Sequence, residues 1–322
     1  MRPHGADVNR DLPVADNGWH STTKLGRLTR MLTPRPPARR AVLRATVRAT
    51  VLFFATAAVW TLAGCKLKPR VTAPGTTEPD VSANCADWAT VMDGPYRYEN
   101  NVWGQNKATR GYEQCLLRRT VQDRVERGWA WNWPGFDASV YAYPEIIFGW
   151  KPWTGGESTD PRFPMKVANI AQLDLHYEVE TEASGSYNLA PEIWLTRSGR
   201  ASPSPNPNLI STEIMFWMDY GGKAKPAGQV VDQLTIGAID YEVWRADNFG
   251  AGGKWTFLAF KSRKIRHAGV IDMHAVLRYS VERNAIDPSH YVASVEFGNE
   301  IMGGRGRTWV REFSVAAREK AQ

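Results

Sequence analysis

The sequence has few of the residues that bind metals or act as thiol nucleophiles. Its 322 residues include six histidines and three cysteines. The histidines are scattered without metal-ligand spacing, so we predict no metal site. We interpret His176, His274 and His290 as surface or hydrogen-bonded core residues. The sequence also lacks a Gly-x-Ser-x-Gly motif, a phosphate-binding loop and a dinucleotide-binding fingerprint, and we therefore predict no cofactor.

Beyond residue 84, the chain also lacks an excess of basic over acidic residues. The formal net charge is +7, and residues 1–64 alone hold ten basic and three acidic residues. From residue 85 onward, 27 basic residues stand against 28 acidic ones. A nucleic-acid-binding function needs a basic surface on the folded domain, so we do not favour it.

The uneven charge indicates an export signal. Five arginines between residues 35 and 48 precede an uncharged, mainly apolar run over 49–64, which is short for a membrane-spanning helix. The run ends in Leu62-Ala63-Gly64-Cys65, which resembles a bacterial lipobox. We predict that residues 1–64 are an N-terminal extension and lipoprotein-type signal peptide and that Cys65 is lipidated. A start at Met31 would give a more ordinary leader, and a plain signal peptide or an uncleaved anchor is the alternative.

A flexible tether and one domain are predicted to follow. Residues 65–84 are rich in Lys, Pro, Thr, Gly and Ser and have little apolar content. Over 85–318, short runs rich in β-branched and aromatic residues alternate with turn residues, which predicts an all-β sandwich or barrel. Examples are 140–143, 172–179, 192–196, 210–218, 240–244 and 255–261. Helical spacing over 269–284 predicts one substantial helix.

One predicted strand carries a misplaced charge. In residues 211–220, alternation puts Glu213, Met215 and Trp217 on one face, while Ile214 and Phe216 share the other. A carboxylate among large apolar side chains must be paired, hydrogen-bonded or exposed to a cleft. Glu213 is therefore a functional candidate, and a rim glutamate bonded to a neighbour is the alternative.

A second predicted strand, residues 292–304, supplies a possible partner. It places Glu296 and Glu300 on one face by parity and ends in Gly303-Gly304. Two carboxyl groups that meet across one cleft can act as the acid and base of glycosidic bond cleavage.

Several motifs, in the same order along the chain, are similar to those of glycoside hydrolase family 12. They are Glu-Ile-Met-Phe-Trp at 213–217, Phe-Gly-Asn-Glu at 297–300, Asn-Asn-Val-Trp-Gly at 100–104, Tyr-Pro-Glu-Ile-Ile-Phe-Gly at 143–149 and Tyr-Asn-Leu-Ala-Pro-Glu-Ile-Trp-Leu at 187–195. The resemblance covers about residues 85–316. It implies a concanavalin-like jelly-roll β-sandwich of two antiparallel sheets with one helix, whose concave sheet forms an open substrate cleft.

The resemblance also implies a reaction. It makes Glu213 the nucleophile and Glu300 the acid/base of a retaining, endo-acting enzyme that cleaves β-1,4-glucan chains. Cellulose-like glucan, mixed-linkage β-glucan and xyloglucan are all compatible with it. Glu192 stands where the family usually has an aspartate that supports the nucleophile, so rate or pH optimum is expected to differ. An ordinary exposed strand glutamate is the alternative.

Aromatic side chains are expected along the cleft, because sugars lay their apolar C–H faces on aromatic rings. The candidates are Trp103, Trp131, Trp133, Tyr143 and Trp217, with Met215 at the floor of the cleft. Packing in the core of the sandwich is an equally good interpretation of each one alone.

Cys85 and Cys115 remain after Cys65 is assigned to the lipid anchor. Cysteines of an exported protein tend to be oxidised, and family members often carry a disulfide near the start of the domain. We therefore expect a Cys85–Cys115 disulfide, with two buried thiols as the alternative. We take a monomer as the default.

Two further functions stay open at this point. One is a non-catalytic glycan-binding lipoprotein with the same sandwich, since a fold does not fix a function. The other is a domain that mainly anchors or organises the envelope. The presence of both Glu213 and Glu300 favours the hydrolase.

Overall fold

The computed structural model describes residues 81–135, 139–250 and 254–321. The predicted signal peptide (1–64), Cys65 and residues 65–80 of the predicted tether lie outside the described residues. Across the described ranges, no helix is long and apolar enough to cross a membrane.

Sixteen strands and one α-helix make up the described part of the chain. The strands are β1 (Ser82–Asn84), β2 (Thr90–Asp93), β3 (Tyr96–Glu99), β4 (Glu113–Val121), β5 (Arg124–Trp133), β6 (Glu145–Gly149), β7 (Met165–Lys166), β8 (Ile170–Thr196), β9 (Ile210–Trp217), β10 (Asp219–Gly221), β11 (Gln229–Ile236), β12 (Ile239–Phe249), β13 (Trp255–Ser262), β14 (Ala268–Asp272), β15 (Tyr291–Gly298) and β16 (Ile301–Glu319). The helix is α1 (Met273–Glu282), and short 3₁₀ turns cover Gln105–Lys107, Val167–Asn169 and Pro207–Leu209.

These strands form two layers that share β8. The first part of β8 pairs with β16, which continues through β5 and β4 to β1. The last seven residues of β8 pair with β15 on one side, and the last five also pair with β9 on the other. The second layer then extends through β6 and β3 to β2 in one direction and through β13 and β12 to β11 in the other. The predicted all-β sandwich with one helix is confirmed.

One strand pair departs from the expected antiparallel arrangement. β13 runs parallel to β9, with Phe257 opposite Glu213. Three strands, β10, β11 and β12, lie between β9 and β13 along the chain. After the hairpin of β11 and β12, the chain returns beside β9 as the parallel strand β13. This crossover places β13 beside the candidate nucleophile.

The main core lies between the layers and follows the predicted alternation of β9. Ile214 and Phe216 are fully buried in this core. The intervening Met215 and Trp217 point to the opposite face of the second layer, where they pack with Phe257. We call the face that carries Glu213, Met215 and Trp217 the outer face.

The helix is shorter than predicted. Its first residue is Met273, because the side chain of Asp272 caps the N-terminus by accepting a hydrogen bond from the Ala275 amide at 2.7 Å. The preceding residues of β14 pair with β8 and are therefore extended. The predicted strand over 140–143 is also reduced, to a single bridge between Ala142 and Ile301.

The Cys85–Cys115 disulfide forms as expected. Cys115 lies in β4, and the three residues before Cys85 pair with the same strand as β1. The end of the predicted tether is therefore extended structure, because the disulfide holds residues 82–84 beside β4.

Candidate active site

A row of buried carboxyl groups crosses the outer face. Five adjacent strands, β3, β6, β15, β8 and β9, contribute one glutamate each. In that order they are Glu99, Glu145, Glu296, Glu192 and Glu213, and none is more than 7% exposed. Five carboxylates cannot all be charged in such a dry environment, so some of them must hold protons or have a cationic partner.

Lys151 supplies the cation at one end of the row. Its Nζ lies 3.0 Å from Oε1 of Glu99, contacts Oε1 of Glu145 and lies 4.0 Å from Oε2 of Glu296. Burial holds the pKa of Glu145 well above its usual range, against the opposing charge of Lys151. Ser294 donates a hydrogen bond to Glu296 at 2.8 Å.

Glu213 lies at the other end of the row, against an aromatic wall. The indole N–H of Trp255, on the neighbouring strand β13, donates a hydrogen bond to Oε2 of Glu213 at 2.8 Å. Trp255 packs edge to face against Trp153 and Trp194, with ring centroids 5.5 and 5.9 Å away. Trp153 and Trp194 are 5.3 Å apart, so the three indoles form a closed triangle.

Glu300 lies at a break that the sequence did not indicate. The predicted strand over 292–304 is two strands, β15 and β16, and Asn299 and Glu300 join them. Asn188 of β8 is fully buried beside this joint, where it donates from Nδ2 to Oε2 of Glu300 and accepts from the Glu300 amide. Asn299 in turn donates to the Asn188 carbonyl and accepts from the Trp129 indole N–H. The joint is therefore fixed by buried hydrogen bonds from two directions.

Burial raises the pKa of both candidate catalytic carboxyls. It raises the pKa of Glu300 to about 7, against the opposing effect of the Asn188 hydrogen bond. Burial, followed by the charge of Glu300, raises the pKa of Glu213 to about 8, against the effect of the Trp255 hydrogen bond. Glu300 is therefore close enough to Glu213 for its charge to disfavour ionisation of Glu213.

Glu192 is a buried neighbour of Glu213, not an exposed strand residue. It faces Met215 in the register of β8 and β9, one strand from Glu213. Burial and the charge of Glu213 hold the pKa of Glu192 well above its usual range. Its Oε1 is buried without a hydrogen-bond partner among the described residues. The surroundings of Glu192 therefore favour its neutral form, which can donate a hydrogen bond toward a charged neighbour.

The predicted aromatic residues fall into two groups. Trp103 is 49% exposed, with the Lys107 ammonium 4.3 Å above its ring. Trp131 and Trp133 are 3% and 1% exposed and belong to the main core, where Trp133 stacks between Tyr112 and Tyr141. Their rings are therefore not available as an open sugar platform, because the alternation of β5 turns them toward the opposite sheet.

The other predicted contacts are on or near the outer face but are buried. Met215 and Trp217 pack with Phe257 and Ala259. The Tyr143 hydroxyl donates to the Ala190 carbonyl at 2.6 Å. Met215 thus lies in the floor beside the carboxyl row, while Tyr143 supports the floor from within.

The side chains that hold the candidate carboxyls were not predicted from the sequence. Trp255 was assigned only to a strand, and Asn188 only to a motif. The one signal for Trp255 is its strand parity with Phe257, but the parallel pairing that brings it to Glu213 is a long-range feature. Lys151 follows the motif at 143–149 and gave no signal of its own. Within the described ranges, no cluster of three or more His, Cys, Asp or Glu residues is arranged to hold a metal ion.

Comparisons with known proteins identify the family of the chain. The model of the family described as "Glycosyl hydrolase family 12" matches residues 94–317. "Endoglucanase S" of Pectobacterium parmentieri is 28% identical over 73% of this chain and 86% of its own length. A "Probable xyloglucan-specific endo-beta-1,4-glucanase A" of Aspergillus clavatus is 25% identical over 72% of this chain and 90% of its own length.

Solved structures share the fold. The "Native family 12 xyloglucanase from Bacillus licheniformis" superposes with a TM-score of 0.65 at 28% identity, over 74% of this chain and all of that one. The predicted jelly roll is confirmed by this neighbour. The match of the family model to more than half of the sequence, on a fold that gathers the motif carboxyls on one face, shows that the chain belongs to glycosyl hydrolase family 12 and is a glycosidase of the endoglucanase type.

Proposed function

We propose that the protein cleaves internal β-1,4-glucosidic bonds of soluble β-glucans with retention of configuration. The observation that carries the proposal is the position of Glu213, a buried carboxyl that accepts a hydrogen bond from the Trp255 indole and lies close enough to Glu300 for the charge of Glu300 to raise its pKa. A double displacement needs one charged and one protonated carboxyl, with the groups about 5–5.5 Å apart.

The roles are those that the resemblance of the motifs at 213–217 and 297–300 to the family implies. Glu213, which accepts a hydrogen bond from Trp255, is the nucleophile: one of its oxygens forms a bond to the anomeric carbon as the bond to the leaving oxygen breaks. Glu300, at the joint between β15 and β16, gives its proton to that leaving oxygen. Water, which loses a proton to Glu300, then attacks the anomeric carbon and releases the sugar and Glu213. Glu192, as a neutral acid, supports the charge on Glu213.

The substrate is proposed to be a β-glucan of the cellulose-like, mixed-linkage or xyloglucan type. Endo-acting enzymes need a surface along which a chain can lie, and the outer face offers a carboxyl row with an aromatic wall at its Glu213 end. The names of the endoglucanase and xyloglucanase relatives support this range of substrates.

The test measures reducing-end release by the purified protein on barley β-glucan, carboxymethyl-cellulose and tamarind xyloglucan. We expect release from at least one of them, with Glu213→Gln and Glu300→Gln reduced to nearly zero. Glu157→Gln, on an exposed glutamate, is the matched control and should keep full activity. The anomer released, followed by proton NMR during the first minutes, reports retention. Binding of these glucans without release would instead favour the non-catalytic lipoprotein.

We also propose that the protein is exported and held at the membrane by a lipid on Cys65. The lipobox-like Leu62-Ala63-Gly64-Cys65 after an apolar run supports this. The expected result is incorporation of labelled palmitate into the wild-type protein in a bacterial host and none into Cys65→Ser. Equal labelling of both would contradict the anchor.

A further inference from the structure

The outer face contains a hydrogen-bond donor to Glu213, the proposed nucleophile, and this donor lies outside the motifs that resemble the family. Trp255 is 8% exposed, and its indole N–H is the described donor to Glu213, 2.8 Å from Oε2. A hydrogen bond to a charged acceptor is stronger than one between neutral groups, and strongest where water is excluded. Glu213 is 7% exposed, so this condition is met.

The orientation of the Trp255 indole is fixed by its surroundings. Trp153, Trp194 and Phe249 each contact the ring edge to face. Gly250 covers another edge, where a Cβ atom would lie 1.9 Å from Cη2 of the indole, and its φ of +73° is in the region that favours glycine. A ring enclosed on these sides cannot turn its N–H away from Glu213 without repacking its neighbours.

We propose that Trp255 is the positioning residue for the nucleophile, holding Oε2 of Glu213 so that Oε1 is the oxygen that attacks the anomeric carbon. This inference rests on the proposed function of Glu213. In the first step the Oε1–carbon bond forms, the bond from that carbon to the leaving oxygen breaks, and the leaving oxygen takes the proton of Glu300. Oε2 then becomes the carbonyl oxygen of the glycosyl ester, still within reach of the indole N–H.

The hydrogen bond has opposite consequences for the two steps. Charge leaves Glu213 as the ester forms and returns to it as water attacks the anomeric carbon and the ester bond breaks. Because the N–H stabilises the charged carboxylate more than the ester, it favours the second step, the release of the sugar. It also favours the ionised form of Glu213 in the free enzyme.

Several titratable groups face Glu213 and must be kept unchanged in a test of this kind. They are Glu192 from β8, Glu296 from β15 and Glu300 after β15. The charges of Glu300 and Glu296 raise the pKa of Glu213, and the charge of Glu213 raises that of Glu192. From β13 comes the Trp255 indole, whose hydrogen bond lowers the pKa of Glu213 against the effect of burial. Removal of the N–H alone therefore moves the pKa of Glu213 upward without a change in formal charge.

The chain offers a matched control in the same aromatic triangle. Trp194 is 6% exposed and contacts the other two indoles of the triangle, Trp153 and Trp255, but its own N–H has no partner among the described residues. Trp255→Phe removes a donor and part of a ring, whereas Trp194→Phe removes a comparable part of a ring and no hydrogen bond. A third variant replaces Trp255 by β-(3-benzothienyl)alanine, in which sulfur stands in place of the N–H at nearly unchanged volume.

The experiment measures kcat and KM of each variant on a 2,4-dinitrophenyl β-cellotrioside between pH 4 and 9, with stopped-flow detection of the phenolate. In Trp255→Phe we expect the acid limb of the kcat/KM profile to shift to higher pH by about one unit. We expect kcat to fall roughly tenfold, the effect of one charge-assisted hydrogen bond, with a lower KM and a burst of phenolate as the glycosyl-enzyme accumulates. The benzothienyl variant should behave in the same way, and Trp194→Phe should keep the wild-type limb and show no burst.

The outcomes separate this inference from the proposed function. An active wild type in which Trp255→Phe matches Trp194→Phe would overturn the role of Trp255 and leave the hydrolase intact. If Trp255→Phe does not fold, the benzothienyl variant decides alone, and a wild-type profile from it overturns the inference. A wild type that releases neither sugar from the glucans nor phenolate would overturn the proposed function itself.

Discussion

The side chain of Asn188 contacts Glu300 twice, donating from Nδ2 to the Oε2 carboxylate oxygen at 2.5 Å and accepting from the backbone amide at 3.0 Å. One buried side chain therefore sets both the position and the charge of the proposed acid/base. Its amide N–H stabilises the ionised carboxyl and so lowers the pKa of Glu300 against the effect of burial.

Asn188→Ala is expected to move the alkaline limb of the activity profile to higher pH. The general acid must be protonated, and loss of the donor raises the pKa of Glu300 above its present value of about 7. The shift should be about one pH unit in kcat/KM. Asn132→Ala, at an exposed asparagine, should keep the wild-type limb. An unchanged limb in Asn188→Ala would mean that another group controls the alkaline side.

Lys151→Met is expected to lower the free energy of unfolding by about 3–5 kcal/mol, because it leaves buried carboxylates without their cation. Urea unfolding at pH 7 measures the loss. Lys225→Met, at an exposed lysine, should change little. The double variant Lys151→Met/Glu145→Gln should regain part of the stability, since it removes one of the unpaired charges. If Lys151→Met alone were as stable as the wild type, Lys151 would be neutral or replaceable by water.

Glu192 is expected to make the protein less stable as pH rises. Its pKa is raised in the folded state and is near 4.5 in the unfolded chain, so its contribution is complete below about pH 4.5 and is lost as pH rises through the folded pKa. Glu192→Gln keeps a neutral side chain at every pH. Its unfolding free energy, measured in urea at pH 5 and pH 8, should therefore decline less than that of the wild type. Equal declines in the two proteins would show that Glu192 is already charged at pH 5.

Trp103→Ala is expected to weaken substrate binding, whereas Trp131→Phe is expected to lower stability instead. The exposed Trp103 ring can stack on a sugar, an interaction worth about 0.5–1.5 kcal/mol, so KM should rise roughly 2- to 13-fold. Trp131 is enclosed in the main core and should leave KM unchanged. The assignment of the two rings would be reversed if Trp131→Phe raised KM and Trp103→Ala did not.

Local alternation in the sequence predicted which side chains of β9 face each way. Ile214 and Phe216 lie in the core, and Glu213 and Met215 lie on the outer face, because side-chain parity needs no knowledge of the strand partner. The same reasoning did not predict which face of β5 packs in the core and which is exposed. Its tryptophans alternate consistently, but the parity alone does not say which face is the core.

The contacts between the candidate carboxyls and their neighbours depend on strand order, which the sequence does not show. Trp255 reaches Glu213 through a parallel pairing that skips the hairpin of β11 and β12. Glu300 was expected on a continuous strand by parity with Glu296. The joint between β15 and β16 is held by the Asn188 side chain, which contacts Glu300 112 positions away in the chain, and no local pattern encodes such a contact.

The sharing of β8 by both layers has a consequence for how the protein opens. This one 27-residue strand carries Asn188 and Glu192 and is paired on both sides along much of its length. Separation of either layer would break its hydrogen bonds, so the two layers should unfold as one cooperative unit. In native-state hydrogen exchange, the amides of Asn188 and Glu192 should exchange as slowly as those of the core, at the rate of global unfolding. A protease or a denaturant at low concentration should therefore find no partly open form in which the candidate site alone is lost.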